Sequence, residues 1–338
     1  MTFMGIGDLA LGYRLRHQDF QLKQQLHRLS AEVTTGRVTD VAAAAAGDLS
    51  SLAGIERSLT RLGGYRIATT EAAELLAGVQ SALATAQETA AGLAPGLLGA
   101  TLTPTDRQVA TLANDAAQRL AGVVSALNVR TGDRYLFSGI ATDTPPLGPA
   151  EAILDALGPV VASQTTPQGV AAAVVAWFDA PAGSGGFADT AYRGSARPLA
   201  DFRTADGQAV PMTITAAAEP LRDLMKGLAL AALVDRGALA GRTEERATLL
   251  VTAGEVIAAA DGDLTGLRAR VGSAEAAVEA SGVRNAAETA RLERARNDIV
   301  AADPYDAATA LEAVRLQTET LYSVTARLSQ LRLSEYLK

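Results

Sequence analysis

Two stretches at opposite ends of the chain carry apolar residues at alternating spacings of three and four. These residues are Leu22, Leu26, Leu29 and Val33 near the start, and Leu321, Val324, Leu328 and Leu331 near the end. Such spacing is typical of a coiled-coil seam, because it keeps one face of a helix toward a partner helix. The sequence therefore predicts a mainly α fold, an elongated antiparallel rod in which the terminal segments pair.

Composition favours thin helical bundles and excludes several function classes. Of the 338 residues, 48% are hydrophobic but only 4% are aromatic, and alanine makes up much of the difference. The formal net charge of -7 gives no basic surface for nucleic acid or an anionic membrane. The chain has no cysteine, which excludes disulfides and thiolate chemistry. No apolar run approaches the roughly 20 residues that cross a bilayer, and we expect no cleavable signal peptide.

Prolines divide the chain into flanks and a middle. Nine of the twelve fall between residues 145 and 220, and proline breaks helix interiors. We therefore expect an inserted outer α+β domain at 140–218, between the helical rod segments 41–139 and 219–299. The terminal assembly helices then occupy 1–40 and 300–338.

Local signals predict where several elements begin and end. Gly36 can take a left-handed cap after the first helix, and Asp48 can cap the next one. Thr103 followed by Pro104 predicts another helix start, as does Asp303 followed by proline. Tyr135 and Phe137 alternate with their neighbours like a short strand, and residues 205–208 predict a hairpin turn.

Candidate chemical motifs do not add up to a catalytic or metal site. His17 and His27 lie ten residues apart and fall on opposite sides of one helix. Gly5–Ala10 lacks the strand that a dinucleotide fingerprint needs, and Asp261–Gly266 lacks the twelfth-position carboxylate of a calcium loop, so we expect a helix–helix turn there. Gly183–Gly186 has no adjacent base. We predict no catalytic, cofactor-binding or metal residues, and no enzymatic activity.

Two terminal motifs resemble the bacterial flagellin superfamily. Ser30–Arg37 is similar to that family's stretch that closes the first helix, with Thr35, Gly36 and Arg37 as its final residues. The end of the chain is similar to the family's leucine-rich close, with Tyr336 and Leu337 as its Tyr-Leu pair. The connector after Arg37 departs from the family, because it is rich in alanine.

A third motif favours one branch of that superfamily. The segment Gly132–Pro146 resembles the signature of the hook–filament junction proteins, hook-associated protein type 3. Its motif residues are Arg134, Tyr135, Leu136, Phe137, Ser138 and Gly139. The resemblance covers about 1–146 and 220–338.

This resemblance implies a structural role outside the cell. It implies export through the flagellar type III channel and assembly with hook-associated protein type 1, flagellin and further copies of the chain. It also implies an export chaperone on the C-terminal helix. The assembly interface would comprise the eight seam residues with Tyr336 and Leu337. A filament subunit (flagellin) and a soluble coiled-coil signalling or effector module remain alternatives.

Overall fold

The computed structural model describes residues 6–44, 48–102 and 104–336. Helices dominate these ranges, and the strands within them form two antiparallel pairs, so the prediction of a mainly α fold is confirmed. The helices are α1 (Ile6–Thr35), α2 (Val41–Ala44), α3 (Ser50–Ala91), α4 (Ala94–Leu98), α5 (Asp106–Leu127), α6 (Ala150–Val161), α7 (Pro167–Phe178), α8 (Phe187–Thr190), α9 (Glu219–Asp235), α10 (Thr243–Val300) and α11 (Pro304–Tyr336). The strands are β1 (Arg130–Thr131), β2 (Arg134–Tyr135), β3 (Leu199–Ala205) and β4 (Gln208–Met212).

The chain divides into two compact units. Unit 1 comprises Met1–Arg61 and Ala287–Lys338, and unit 2 comprises Leu62–Ala286. Among the described residues, none of the helices combines the length and apolar character that a bilayer crossing requires.

Unit 1 brings the first and last helices together. α1 ends at Gly36, whose φ of 66° is the left-handed cap that the sequence predicts. Its carbonyl accepts a hydrogen bond from Ala302 N at 3.0 Å, and Val38 N donates to Val300 O at 2.9 Å. Because the end of α1 is thereby tied to the start of α11, the two helices run antiparallel as they pack. The predicted start of α11 is confirmed, since Asp303 accepts from the second and third amides that follow it.

Unit 2 has a dense core built around α5 and α9. α5 buries one stripe at spacings of three and four, while α9 is buried on every side over its second half. A helix that is apolar all round belongs in a core. The two helices pack together, and α6 and α7 cover α9.

The proline-rich segment 140–218 contributes three helices and one hairpin to unit 2. Residues 171–178, which the sequence left open between strand and helix, are helical in α7. The rings of Trp177, Phe178 and Phe187 form one cluster, with centroids 5.0 Å apart for the first pair and 5.2 Å for the last. These side chains belong to the same core as α5 and α9.

The hairpin β3–β4 confirms the predicted turn. Ala205 pairs with Gln208, and Gly207 takes a φ of 68°. Asn285 Nδ2 of α10 donates to Thr204 O at 2.7 Å, which fixes one end of the hairpin to that helix.

Two predicted boundaries are wrong. The turn expected at Asp261–Gly266 lies inside the continuous helix α10. Ala260, Leu264 and Leu267 are buried across it, and this packing outweighs the cost of about 1 kcal/mol per glycine in a helix interior. α5 begins at Asp106 with Thr105 as its cap, since the Thr105 hydroxyl accepts from Gln108 N at 3.3 Å. The predicted cap, Thr103, lies outside the described residues.

Candidate assembly site

α1 and α11 meet along a narrow apolar seam. Its buried side chains are Leu22, Leu29, Val314 and Leu321. Half-buried side chains pack against them, namely Leu15, Leu26, Ala310 and Leu311. The seam is therefore one side chain wide on each helix, as in a two-stranded coiled coil.

The structure places the predicted interface residues in different environments. Leu22, Leu29 and Leu321 are buried in the seam, and Leu26 and Leu328 are half-buried. Val33 and Val324 are 42% and 44% exposed, so neither belongs to the seam within one chain. The side chains of Leu331 and Tyr336 and the whole of Leu337 lie outside the described residues.

The pattern of aliphatic residues predicts only part of the α11 seam, because threonines occupy two of its positions. Spacings of four and three run through Ala307, Leu311, Val314, Thr318, Leu321, Thr325 and Leu328. The Thr318 hydroxyl donates to Val314 O at 2.8 Å, and the Thr325 hydroxyl donates to Leu321 O at 2.7 Å. A threonine that bonds its own helix in this way leaves its methyl group for packing. Counting only aliphatic residues shifted the predicted stripe onto Val324.

A polar group also occupies the seam. Asp19 follows Leu15 by four residues and precedes Leu22 by three, so it takes a seam position. It accepts a hydrogen bond from Lys23 Nζ at 2.9 Å, and Nζ lies 6.0 Å from the centroid of the Tyr322 ring on α11. The hydrogen bond from Lys23 is the main cause that lowers the pKa of Asp19, and the same bond raises the pKa of Lys23. A polar residue at one seam position fixes the register of a helix pair.

Both helices of unit 1 carry exposed aromatic or leucine side chains on the face opposite the seam, and we name this set of residues the outer stripe. It comprises Tyr13, His17 and Phe20 on α1, and Tyr305 and Leu316 on α11. At 100° per residue, these positions lie on the back of each helix. The Tyr13 and His17 rings stack at 6.3 Å, and Phe20 and Leu316 are 57% and 65% exposed. Within one chain, no described residue covers this face.

The Thr35–Arg37 motif closes α1 and begins the tie to α11. The Thr35 hydroxyl donates to Ala31 O at 2.7 Å and accepts from Arg37 N at 3.3 Å. Arg37 then forms an isolated antiparallel bridge with Ala301. The motif therefore sets the geometry of the helix pair.

The Arg134–Gly139 motif is internal to unit 2. Its strand is shorter than predicted, since β2 covers only Arg134–Tyr135 and pairs with β1 around Gly132. Arg134 forms an ion pair with Glu71 of α3. Arg130 lies 5.2 Å from the Tyr135 ring centroid, and Leu136 packs on Gly78 of α3.

The second half of the motif joins distant segments of unit 2. Phe137 is fully buried, and its carbonyl accepts from Ala216 N at 3.0 Å. The buried Ser138 donates through its hydroxyl to Thr144 O and accepts through its carbonyl from Ser195 N at 2.8 Å. Gly139 has a φ of 60°, and a Cβ there would lie 2.2 Å from Arg197 O. The motif therefore requires glycine at this position, and it holds residues 195–216 onto the helices.

The glycine-rich loop at 183–186 surrounds a carboxylate of its own chain. Gly183 N and Gly185 N each donate to Asp189 at 2.8 Å. These backbone hydrogen bonds lower the pKa of Asp189. The loop acts as a local structural cap. Among the described residues, no group of three His, Cys, Asp or Glu side chains is placed to hold a metal ion.

Comparisons with known proteins find a partial family match and a shared fold. Residues 255–337 match the family described as the bacterial flagellin C-terminal helical region. A protein of Vibrio parahaemolyticus assigned as a flagellar hook-associated protein has 15% sequence identity and a TM-score of 0.52, over 74% of this chain and 100% of its own. FlgL of Bacillus cereus has 14% identity and a TM-score of 0.51, over 72% of this chain and 100% of its own. No curated protein matches the chain.

The chain thus shares its fold with these two solved structures, and its C-terminal part matches the flagellin C-terminal helical region.

Proposed function

We propose that this chain is a structural subunit of the bacterial flagellum at the hook–filament junction. There it joins hook-associated protein type 1 to flagellin through its terminal helices. The outer stripe of unit 1 carries this proposal. The junction motif at Gly132–Pro146 and the fold shared with FlgL add support.

One helix pair buries little apolar surface by itself. The seam contains four buried side chains, and most helical stability in proteins comes from packing of an apolar face rather than from helix propensity. Aromatic and leucine side chains on the opposite face then favour contact with further helices. Neighbouring subunits supply such helices when several copies pack their terminal pairs into one wall.

The same surface fits the partners that the family resemblance implies. α11 exposes Tyr305 and Leu316 before assembly, and an export chaperone that covers this helix would keep copies apart until secretion. Beyond export, hook-associated protein type 1, flagellin and copies of this chain would replace the chaperone. The protein would then lie outside the cell in the flagellum.

A filament subunit is the second candidate. The match of residues 255–337 to the flagellin C-terminal helical region favours it. Long filaments grown from this chain alone would support the filament subunit and contradict the junction role.

The decisive experiment removes part of the terminal pair. We expect deletion of the last 15 residues to leave unit 2 folded, as reported by Trp177 fluorescence, and to abolish incorporation into flagella. Phe20→Asp should have the same effect through the outer stripe. The matched control is Val175→Asp, which changes an exposed valine of unit 2 and should leave incorporation intact.

Imaging of a deletion strain tests the position of the subunit. Completed hooks with flagellin shed into the medium are expected for a junction protein. Normal filaments in that strain, or unchanged incorporation of the truncated chain, would contradict the proposal.

A further inference from the structure

The outer stripe of α1 is bordered by basic side chains. We call the side of each helix that carries the outer stripe its outer face. Spacings of three, four and eleven residues bring side chains to one side of a helix. Three exposed arginines stand at these spacings from His17 or Phe20, namely Arg14, Arg16 and Arg28. The single carboxylate between residues 10 and 31 is that of Asp19, which lies in the seam and accepts a hydrogen bond from Lys23. The outer face of α1 is therefore basic.

The outer stripe of α11 is bordered by carboxylates. Glu312 precedes Leu316 by four residues and Glu319 follows it by three, so both lie on the same side of the helix as the stripe. Their side chains are 73% and 66% exposed. Arg315 Nη1 lies 4.0 Å from Glu312 Oε1, and Arg315 Nε lies 3.7 Å from Glu319 Oε1. One guanidinium cannot neutralise two carboxylates, so the outer face of α11 keeps a negative charge.

The two outer faces cannot meet within one chain. The seam lies between α1 and α11, so their outer faces point in opposite directions. One neighbouring copy therefore covers only one of these faces, and each copy needs two neighbours. A contact between different surfaces of identical subunits is heterologous, and it builds rings or helices.

The charges of the outer faces determine which faces can pair between copies. If α1 packed on α1 of a second copy, arginines would face arginines, and if α11 packed on α11, carboxylates would face carboxylates. Like charges placed opposite each other disfavour both arrangements. Packing of α1 on α11 of a second copy brings opposite charges together and covers aromatic and leucine side chains on both helices. Exposed ion pairs are individually weak, so the charges select the partner face and the outer stripe supplies the buried area.

We propose that the outer face of α1 in one subunit packs on the outer face of α11 in the next copy. The arginines of the first face then lie opposite Glu312 and Glu319 of the second. This inference rests on the assembly role proposed above, and it specifies which surfaces of the terminal helix pair meet. Repetition of the contact gives every copy one neighbour on each side of its helix pair, which suits a ring or a tube wall.

Charge reversal tests this contact. The first variant carries Arg14→Glu and Arg28→Glu. We expect its incorporation into flagella to fall at least about tenfold, because carboxylates would then face carboxylates. The second variant adds Glu312→Lys and Glu319→Lys to the first. When it is the only copy produced, it should recover most of the lost incorporation, because every contact between copies then joins two reversed faces.

The matched control carries Arg107→Glu and Arg203→Glu. These substitutions reverse two exposed arginines of unit 2 and change the net charge by the same amount as the first variant. Incorporation of the control should equal that of the unaltered chain. Circular dichroism of each free monomer should show an unchanged thermal transition, since all the altered side chains are exposed.

The outcomes separate this inference from the proposed function. If the unaltered chain and the first variant are incorporated equally well, the contact is wrong and the assembly role stands. If the first variant fails and the second does not recover, the two faces do not meet each other, and the contact is again wrong. If the unaltered chain is absent from isolated flagella, the assembly role fails, and the contact fails with it. Loss and recovery that the control does not share support the contact.

Discussion

Unit 1 and unit 2 differ in how completely they bury their apolar side chains within one chain. Unit 2 surrounds α9 with other helices, so that its core is complete within one chain. Unit 1 buries a single seam and leaves aromatic and leucine side chains exposed on the backs of both helices. Although unit 1 is the smaller unit, it holds nine of the sixteen exposed large apolar side chains among the described residues. The proposed assembly role predicts this difference, since unit 2 would then fold within one chain and neighbouring copies would complete unit 1.

We expect the largest loss of stability from a substitution in the core of unit 2. Phe137 is fully buried, and its replacement by alanine should lower the free energy of unfolding of unit 2 by about 3–5 kcal/mol. Trp177 is the only tryptophan of the chain and belongs to the same core. Its fluorescence in a denaturant titration therefore measures this change. A loss below about 1 kcal/mol would show that the motif is not part of the core.

Glycine substitutions test the motif with a built-in control. Gly139→Ala would place a Cβ 2.2 Å from Arg197 O, whereas Gly132 has a similar φ of 58° and nothing within 4 Å. Both variants bear the strain of a left-handed residue, of order 1–2 kcal/mol, but only the first must also move the backbone. We expect Gly139→Ala to be the more destabilising by at least about 1 kcal/mol in the same titration. Equal losses would remove the argument for a required close approach.

A substitution in the seam should lower the stability of unit 1 without changing the stability of unit 2. Leu22→Ala removes a buried seam side chain and should cost about 2 kcal/mol, lowering the first unfolding transition seen by circular dichroism. Trp177 fluorescence should not shift, because that ring lies in unit 2. Phe20→Ala, on the exposed face of the same helix, should change stability of the free monomer by less than about 0.5 kcal/mol. If Leu22→Ala shifts both signals together, the two units do not unfold independently.

The smallest effect concerns the charged group in the seam. The pKa of Asp19 is lowered in the folded chain, mainly by the hydrogen bond from Lys23. Its contribution is therefore present above the ordinary pKa of aspartate, about 3.9, and is lost as the pH falls through the lower folded value. We expect the first circular dichroism transition to weaken below about pH 4, and Asp19→Asn to reduce that dependence. An unchanged acid response in Asp19→Asn would exclude this group as the cause.

Much of the fold follows from local signals, and the exceptions have physical causes. The end of α1 and the start of α11 were predictable, because Gly36 can take the left-handed cap conformation and the Asp303 carboxylate can accept hydrogen bonds from the first amides of α11. The prediction of a turn at Asp261–Gly266 was wrong, because packing along α10 outweighs the helix-destabilising effect of two glycines. The α11 seam was partly missed because Thr318, which lies half-buried at a seam position, counts as polar in a sequence pattern.

Part of the candidate site could also be predicted from the sequence, and part could not. The pairing of the terminal segments could be predicted from spacing alone, since a coiled-coil pattern requires a partner helix. The outer stripe could not be predicted from the sequence. Tyr13 and Phe20 can be recognised as exposed only once α11 is known to pack on the other face of α1. The surroundings of Leu136 combine segments that are distant in sequence, so no local sequence pattern predicts them.

Hydrogen exchange of the free and assembled protein tests the central claim most directly. In the free monomer, amides of α1 and α11 should exchange much faster than those of α5 and α9, because one seam gives little protection. After assembly, the terminal helices should become as protected as unit 2. Equal protection of both units in the free monomer, unchanged on assembly, would contradict the claim that neighbouring copies complete unit 1.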